Sequence, residues 1–142
     1  MKTPKLVLVV PCFNEEQVLN ETANRLKAIV TDLVNRKTVA AESYICFIDD
    51  GSNDKTWEII ESLNKSNGII KGIRLSRNFG HQNALLAGLH KVKDSADCVI
   101  SIDADLQQDE NAIPAFIEKY KNGADIVLGI REDRKTDSYF KK

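Results

Sequence analysis

The sequence predicts an α/β domain: a Rossmann-like, mostly parallel sheet with helices on both faces. Three observations predict it. β-branched apolar runs of strand length alternate with amphipathic stretches of helical period, the connections between them are short, and several runs stop abruptly at polar or acidic residues. Right-handed crossovers follow from that alternation, and ligands of such sheets bind outside the carboxyl ends of the strands.

Leu6-Val7-Leu8-Val9-Val10, closed by Pro11, is continuous enough in apolar side chains to be buried on both faces. Asn14 offers an N-cap, with Glu15 and Glu16 in the first turn where the helix dipole favours negative charge. Val18, Leu19, Thr22, Leu26, Ile29, Val30 and Leu33 then form one apolar stripe of a long helix ending near Arg36-Lys37. A second buried strand, Tyr44-Ile45-Cys46-Phe47-Ile48, runs into Asp49-Asp50-Gly51-Ser52-Asn53-Asp54. Gly51 permits a tight turn, and Ser52, Asn53 or Asp54 can cap a helix carrying Trp57, Ile59, Ile60 and Leu63 as far as the breaker Asn67-Gly68.

The third strand, Ile69 to Leu75, is weaker, and the loop Ser76-Arg77-Asn78-Phe79-Gly80 follows it. A helix from about His81 to Val92 comes next, where Ala87 and Gly88 allow close packing on a sheet. Cys98 to Ile102 is a fourth, strongly apolar strand. After a polar turn, a helix with Pro114 in its first turn turns Ile113, Phe116, Ile117 and Tyr120 inward and ends at Gly123. Ala124 to Gly129 reads as a fifth strand leading to Arg131, Arg134 and a polar tail.

At 142 residues the chain fits one domain, 1–142, with 42% hydrophobic and 29% charged residues as in ordinary globular proteins. A net charge of -1 leaves no basic footprint for nucleic acid. No apolar run reaches the length of a membrane span, and the amino terminus has no signal-peptide pattern, so the expectation is a cytosolic chain. Cys12, Cys46 and Cys98 are odd in number and lie in or beside apolar runs, as structural thiols do.

The chemistry concentrates at Asp103-Ala104-Asp105. Residues i and i+2 of an extended chain share a face, so Asp103 and Asp105 can converge at the end of the fourth strand. Two such carboxylates suit Mg²⁺ or Mn²⁺, which take further ligands from water and substrate phosphates. Asp49 and Asp50, being neighbours, face opposite ways; at most one enters a shared pocket, where it can accept hydrogen bonds from a ribose or base. No Gly-x-Gly-x-x-Gly follows the first strand and no P-loop occurs, so phosphates need metal and arginine, for which Arg131 and Arg134 are candidates. His81 and His90 lack zinc-site spacing and read as surface or core histidines.

Val9-Val10-Pro11-Cys12-Phe13-Asn14-Glu15-Glu16, Ile48 to Thr56, Arg77-Asn78-Phe79-Gly80, Asp103-Ala104-Asp105-Leu106-Gln107 and Gly129-Ile130-Arg131 occur in the order seen in family 2 glycosyltransferases. More narrowly, the chain resembles the polyprenyl-phosphate sugar transferases, the dolichol-phosphate mannose synthases and bactoprenol glucosyltransferases. The resemblance implies a GT-A fold, a UDP- or GDP-linked sugar donor and inversion at the anomeric carbon. It places Pro11 and Glu15 against the nucleotide, Asp49 or Asp50 on its base or ribose, Asp103 and Asp105 on the metal with Gln107 just beyond, and Arg131 near the phosphates. The implied acceptor is polyprenyl phosphate at the inner face of the cytoplasmic membrane. A saccharide acceptor in the cell envelope is the alternative. Family members continue past residue 142 into an acceptor-binding segment and often membrane helices, so the resemblance implies a truncated chain whose missing part carries the membrane association. Oligomeric state stays open, a homo-oligomer included. A phospho-acceptor signalling domain is the rival class, but it wants a lysine where Gly129-Ile130-Arg131 stands. The other rival is a nucleotide-binding module without catalysis.

Overall fold

The computed structural model describes residues 3–105 and 110–126. They divide into two compact units, with the boundary between residues 111 and 112. The first holds a four-stranded sheet of β1 (Leu6–Cys12), β2 (Tyr44–Asp49), β3 (Ile70–Arg74) and β4 (Cys98–Ser101) with helices α1 (Leu19–Asn35), α2 (Thr56–Ser66) and α3 (His81–Val92). The strand order is β3-β2-β1-β4 and every pairing is parallel.

That order assigns the helices to faces. Right-handed crossovers from β1 to β2 and β2 to β3 step one way across the sheet, whereas β3 to β4 steps back over β1, so α3 must lie opposite α1 and α2. Val7, Val9, Cys46 and Ile48 accordingly form a buried cluster with Ala84 and Val92 of α3. The other face of the same strands, Leu8, Val10, Ile45 and Phe47, is fully buried. Gly72, in register with Phe47, sits on this face under Ile60 and Trp57 of α2. Helices thus cover both faces, as the alternation predicts.

All seven residues of β1 are buried, and the strand continues through Pro11 to Cys12 instead of closing at Pro11. A proline in a central strand normally removes a ladder bond. Here β4 ends its pairing at Val9↔Ser101, and the Ile102 N–H then reaches the Val9 carbonyl (3.0 Å). Bonding groups alternate sides along a strand, so residue 11 faces β4 as residue 9 does, but beyond the last β1–β4 pair, and the missing N–H takes no bond from the paired ladder.

Two helix starts differ from the sequence expectation. α1 begins at Leu19, not at Asn14, because Asn14 adopts a left-handed conformation (φ 53°) and its side chain accepts from the Asn53 N–H (2.8 Å). Val18 is therefore exposed, while Ala23 joins Leu19, Thr22, Leu26, Val30 and Leu33 in the buried stripe. α2 begins at Thr56, whose N–H and hydroxyl both donate to Asp54 (2.9 and 2.6 Å). α3 occupies the predicted residues. β4 is only half-buried despite its apolar sequence, for it stands last in the strand order with β1 as its partner.

In the second unit, α4 (Ile113–Lys121) carries Pro114 in its first turn and buries Ile113 and Ile117. Gly123 (φ 106°) ends it, its N–H reaching the Tyr120 carbonyl (3.0 Å). Of the expected fifth strand, residues 124–126 are not in a strand and residues 127–129 lie outside the described residues.

Gly88 brings α3 against the sheet. A Cβ there would lie 2.6 Å from Ile48 Cδ1 and 2.9 Å from Val9 Cγ1. Gly88→Ala should therefore lose stability: overpacking costs about 1–3 kcal/mol, and the helix-propensity gain returns about 1 kcal/mol. Urea denaturation should read a net loss near ~1 kcal/mol, and a stabilised variant would refute this packing.

Candidate functional site

The loops after β1 and β2 are locked together by backbone N–H groups of one and side chains of the other. Asn14 and Glu15 donate to the hydroxyls of Ser52 and Thr56 (both 2.8 Å), and Glu16 donates to Asp54 (3.2 Å). In return Asn53 donates to the Asn14 side chain and Lys55 to the Glu16 carboxylate (2.9 Å). The Asp50 N–H donates to the Cys12 carbonyl (2.8 Å), which extends the β1–β2 ladder into the loops. Hydrogen bonds from Thr56 and Glu16 outweigh the burial that would raise the Asp54 carboxyl and hold it below the usual range.

The third loop is fastened to the same base. Asp50 accepts from the N–H groups of Phe79 (2.8 Å) and Gly80 (3.1 Å). The backbone of Arg77 and Asn78 crosses directly over Gly51, whose φ of 71° only glycine adopts easily. Asp49 turns the other way, as neighbouring strand residues must. Its buried carboxylate accepts from Ser52 N–H (3.2 Å) through Oδ1, while Oδ2 has no hydrogen-bond partner and lies 4.0 Å from Arg74 Nε.

These loops form one wall of a ≈ 490 Å³ cleft and the end of β4 forms the other. Pro11, Cys12, Phe13, Glu15, Asp50, Asn78, Gly80, His81, Asp103 and Asp105 are among its lining residues. It lies between the carboxyl ends of β1 and β4, where the strand order reverses and sheets of this kind bind ligands. Thr22 of α1 holds the far wall, its hydroxyl donating to the Ala104 carbonyl (2.6 Å). A larger open depression of ≈ 600 Å³ lies at the amino ends of the strands, around Lys5, Tyr44 and Lys71, and includes none of the residues singled out from the sequence.

The structure therefore brings together Pro11, Glu15, Asp50, Asp103 and Asp105, and leaves Asp49 beneath the cleft. Gln107, Arg131 and Arg134 lie outside the described residues. The sequence reading missed His81, whose Nε2 is 3.6 Å from Asp103 Oδ1. Its position right after the loop leaving β3 was the available signal, since that loop emerges on the same edge as Asp103.

The cleft is electrically one-sided. Burial, then the charges of Asp105, Asp54 and Asp103, push the Glu15 carboxyl above its ordinary range. Burial, reinforced by Glu15, pushes the Cys12 thiol well up, so it lines the cleft as a neutral thiol. Among the described residues no three His, Cys, Asp or Glu side chains gather closely enough to hold a metal ion unaided. Two carboxylates at the mouth of an anionic cleft do fit an Mg²⁺- or Mn²⁺-type ion that completes its shell with phosphate oxygens and water.

A parallel sheet of this order with a cleft at its reversal point is the arrangement found in the GT-A fold. Residues 7–142 match the sequence profile of glycosyl transferase family 2, and the chain belongs to that family. It is 52% identical over 139 residues to a Bacillus subtilis (strain 168) protein named uncharacterized glycosyltransferase YkoT, covering 98% of this chain and 41% of that one. It is 41% identical over 103 residues to the bactoprenol glucosyl transferase of Shigella phage SfV, covering 72% of this chain and 31% of the relative. The chain thus spans less than half the length of either relative. Among solved structures, GalNAc-T7 with UDP, GalNAc and Mn²⁺ superposes with a TM-score of 0.54 at 26% identity, covering 72% of this chain and 18% of that one.

Two outcomes test the site. Gly51→Ala should cost more than about 3 kcal/mol, because the methyl adds a backbone clash to a left-handed conformation; denaturant unfolding measures it, and a loss below ~1 kcal/mol would contradict the crossing. Glu15 has a raised carboxyl, so its contribution to stability is full below the unfolded-state value and is lost as pH rises through the folded one. Glu15→Gln should raise the Tm of the ligand-free chain at pH 7 and leave it unchanged near pH ~3.5, below the ordinary carboxyl value. Calorimetry at both pH values would expose a reversed sign.

Proposed function

We propose that residues 1–142 form one nucleotide-sugar-binding domain of an inverting glycosyltransferase that moves a hexose from a UDP- or GDP-linked donor to polyprenyl phosphate. The observation that carries the reading is the convergence of Glu15, Asp50, Asp103 and Asp105 on the cleft at the reversal point of the sheet. The bactoprenol glucosyl transferase of phage SfV supports the lipid-phosphate acceptor.

In this reading the nucleoside lies between the Pro11–Glu15 loop and Asp50. Each oxygen of the Asp50 carboxylate spends one lone pair on the Phe79 and Gly80 N–H groups and keeps another for a donor on the base or ribose. Asp103 and Asp105 would hold Mg²⁺ or Mn²⁺, which when bound neutralises the diphosphate and makes it a better leaving group. Gln107 and Arg131 would extend this set, Arg131 by gripping phosphate bidentately. An acceptor phosphate oxygen, already anionic at neutral pH, attacks the anomeric carbon as the bond to the diphosphate breaks, so no general base is required. The residues contribute position and charge compensation. Among the described residues no helix is long and apolar enough to cross a membrane. The same reading sets the lipid acceptor at the inner face of the cytoplasmic membrane.

The test is calorimetric titration of UDP-glucose and GDP-mannose with and without Mn²⁺. Binding of one donor should require the metal. Asp105→Ala should weaken that binding by more than the roughly tenfold typical of a supporting residue, and should shift stability by less than ~0.5 kcal/mol because the side chain is exposed. Metal-independent binding, or unchanged affinity in the variant, would refute the assignment.

A further inference from the structure

We propose that His81 is a direct ligand of the cation held by Asp103, which gives the site a nitrogen donor and a preference for Mn²⁺ over Mg²⁺. The inference rests on the nucleotide-sugar reading above and deepens it.

The position of His81 is fixed from below. It is the first residue of α3, and the two preceding residues, Phe79 and Gly80, are tied by their N–H groups to the buried Asp50 carboxylate. The Gly80 φ of 100° turns the chain there, and the Ala84 N–H closes the first helical turn onto the Gly80 carbonyl (2.9 Å). The imidazole is thus presented to the cleft from a backbone anchored to the end of β2, facing the wall formed by the end of β4.

The spacing suits chelation better than a hydrogen bond. Nε2 and Asp103 Oδ1 are 3.6 Å apart, beyond the ordinary hydrogen-bond range of about 2.7–3.2 Å. Two donors at right angles on an ion with bonds of about 2.1 Å stand roughly 3.0 Å apart, and at a tetrahedral angle roughly 3.4 Å apart. A movement of about 0.6 Å, open to two partly exposed side chains, closes the difference to the octahedral spacing. Both side chains line the cleft, so an ion can enter from solvent.

The charge balance favours the same role. Glu15, Asp50, Asp103 and Asp105 already line the cleft, and a further carboxylate would add to the charge that, after burial, raises Glu15. A neutral imidazole adds a lone pair and no charge. It is also a softer donor than carboxylate or water, which biases a mixed site away from Mg²⁺. Because the protein supplies too few ligands for a closed cage, the ion should bind together with the nucleotide, whose phosphates complete the shell.

The test is electron paramagnetic resonance of Mn²⁺ added to this chain with UDP, comparing wild type, His81→Ala and Asp105→Ala. Pulsed spectra of the wild type should carry the hyperfine signature of a directly bound imidazole nitrogen, and His81→Ala should lose it. The alanine variant should also bind Mn²⁺ roughly tenfold more weakly, with a smaller loss for Mg²⁺ measured by competition. If Mn²⁺ binds the wild type without nitrogen coupling, or His81→Ala keeps the wild-type affinity, His81 is merely a surface partner of Asp103 and the proposal falls. The donor-site reading survives that result provided Asp105→Ala still loses Mn²⁺. Absence of Mn²⁺ binding to wild type with UDP would overturn both.

Discussion

The structure depends on an exchange of hydrogen bonds between two loops that share neither strand nor helix. Asn14, Glu15 and Glu16 donate backbone N–H groups to Ser52, Thr56 and Asp54, and receive those of Asn53 and Lys55 on their own side chains. Each such bond contributes only about 0.5–1.5 kcal/mol net, but all five join the same two loops, so the set tends to hold or fail as a unit. Its geometric effect is to make the ends of β1 and β2 one rigid platform. The third loop rests on this platform through Asp50 and Gly51, and His81 is positioned through the third loop.

This organisation explains why two adjacent aspartates have unlike roles. Asp50 lines the cleft and secures the Phe79–Gly80 turn, whereas Asp49 is sealed beneath with one oxygen lacking a hydrogen-bond partner. A carboxylate so placed carries a desolvation cost, offset in part by the Ser52 N–H and by the Arg74 guanidinium at 4.0 Å. The strand's two-residue period forces the split, and although both carboxylates are buried, the surroundings decide which one lines the cleft.

Much of the fold was legible because it follows from periodicity. α3 spans the predicted residues and β2 extends the expected run by only one, since their apolar patterns have no rival interpretation. The start of α1 was not legible. Asn14 has a good capping side chain, but that side chain is taken by Asn53, thirty-nine residues away, and no local pattern encodes such a demand. That one of Asp49 and Asp50 would converge with Asp103 and Asp105 could be anticipated from strand ends alone, but not which one. His81 was legible only from its place after the loop leaving β3, because histidine spacing says nothing about a partner contributed by a different strand. The half-buried state of β4 likewise reflects its place at the end of the strand order, which composition does not report.

Pro11 stands where β1 and its outer neighbour β4 part company. An imino nitrogen cannot donate, so residue 11 supplies no N–H to carry the β1–β4 ladder beyond Val9 and Ser101. The mouth between these strands is thereby kept open by main-chain chemistry, independently of how bulky the side chains around it are. Sequence change along the rim can accordingly reshape what the opening accepts without allowing the sheet to zip it shut.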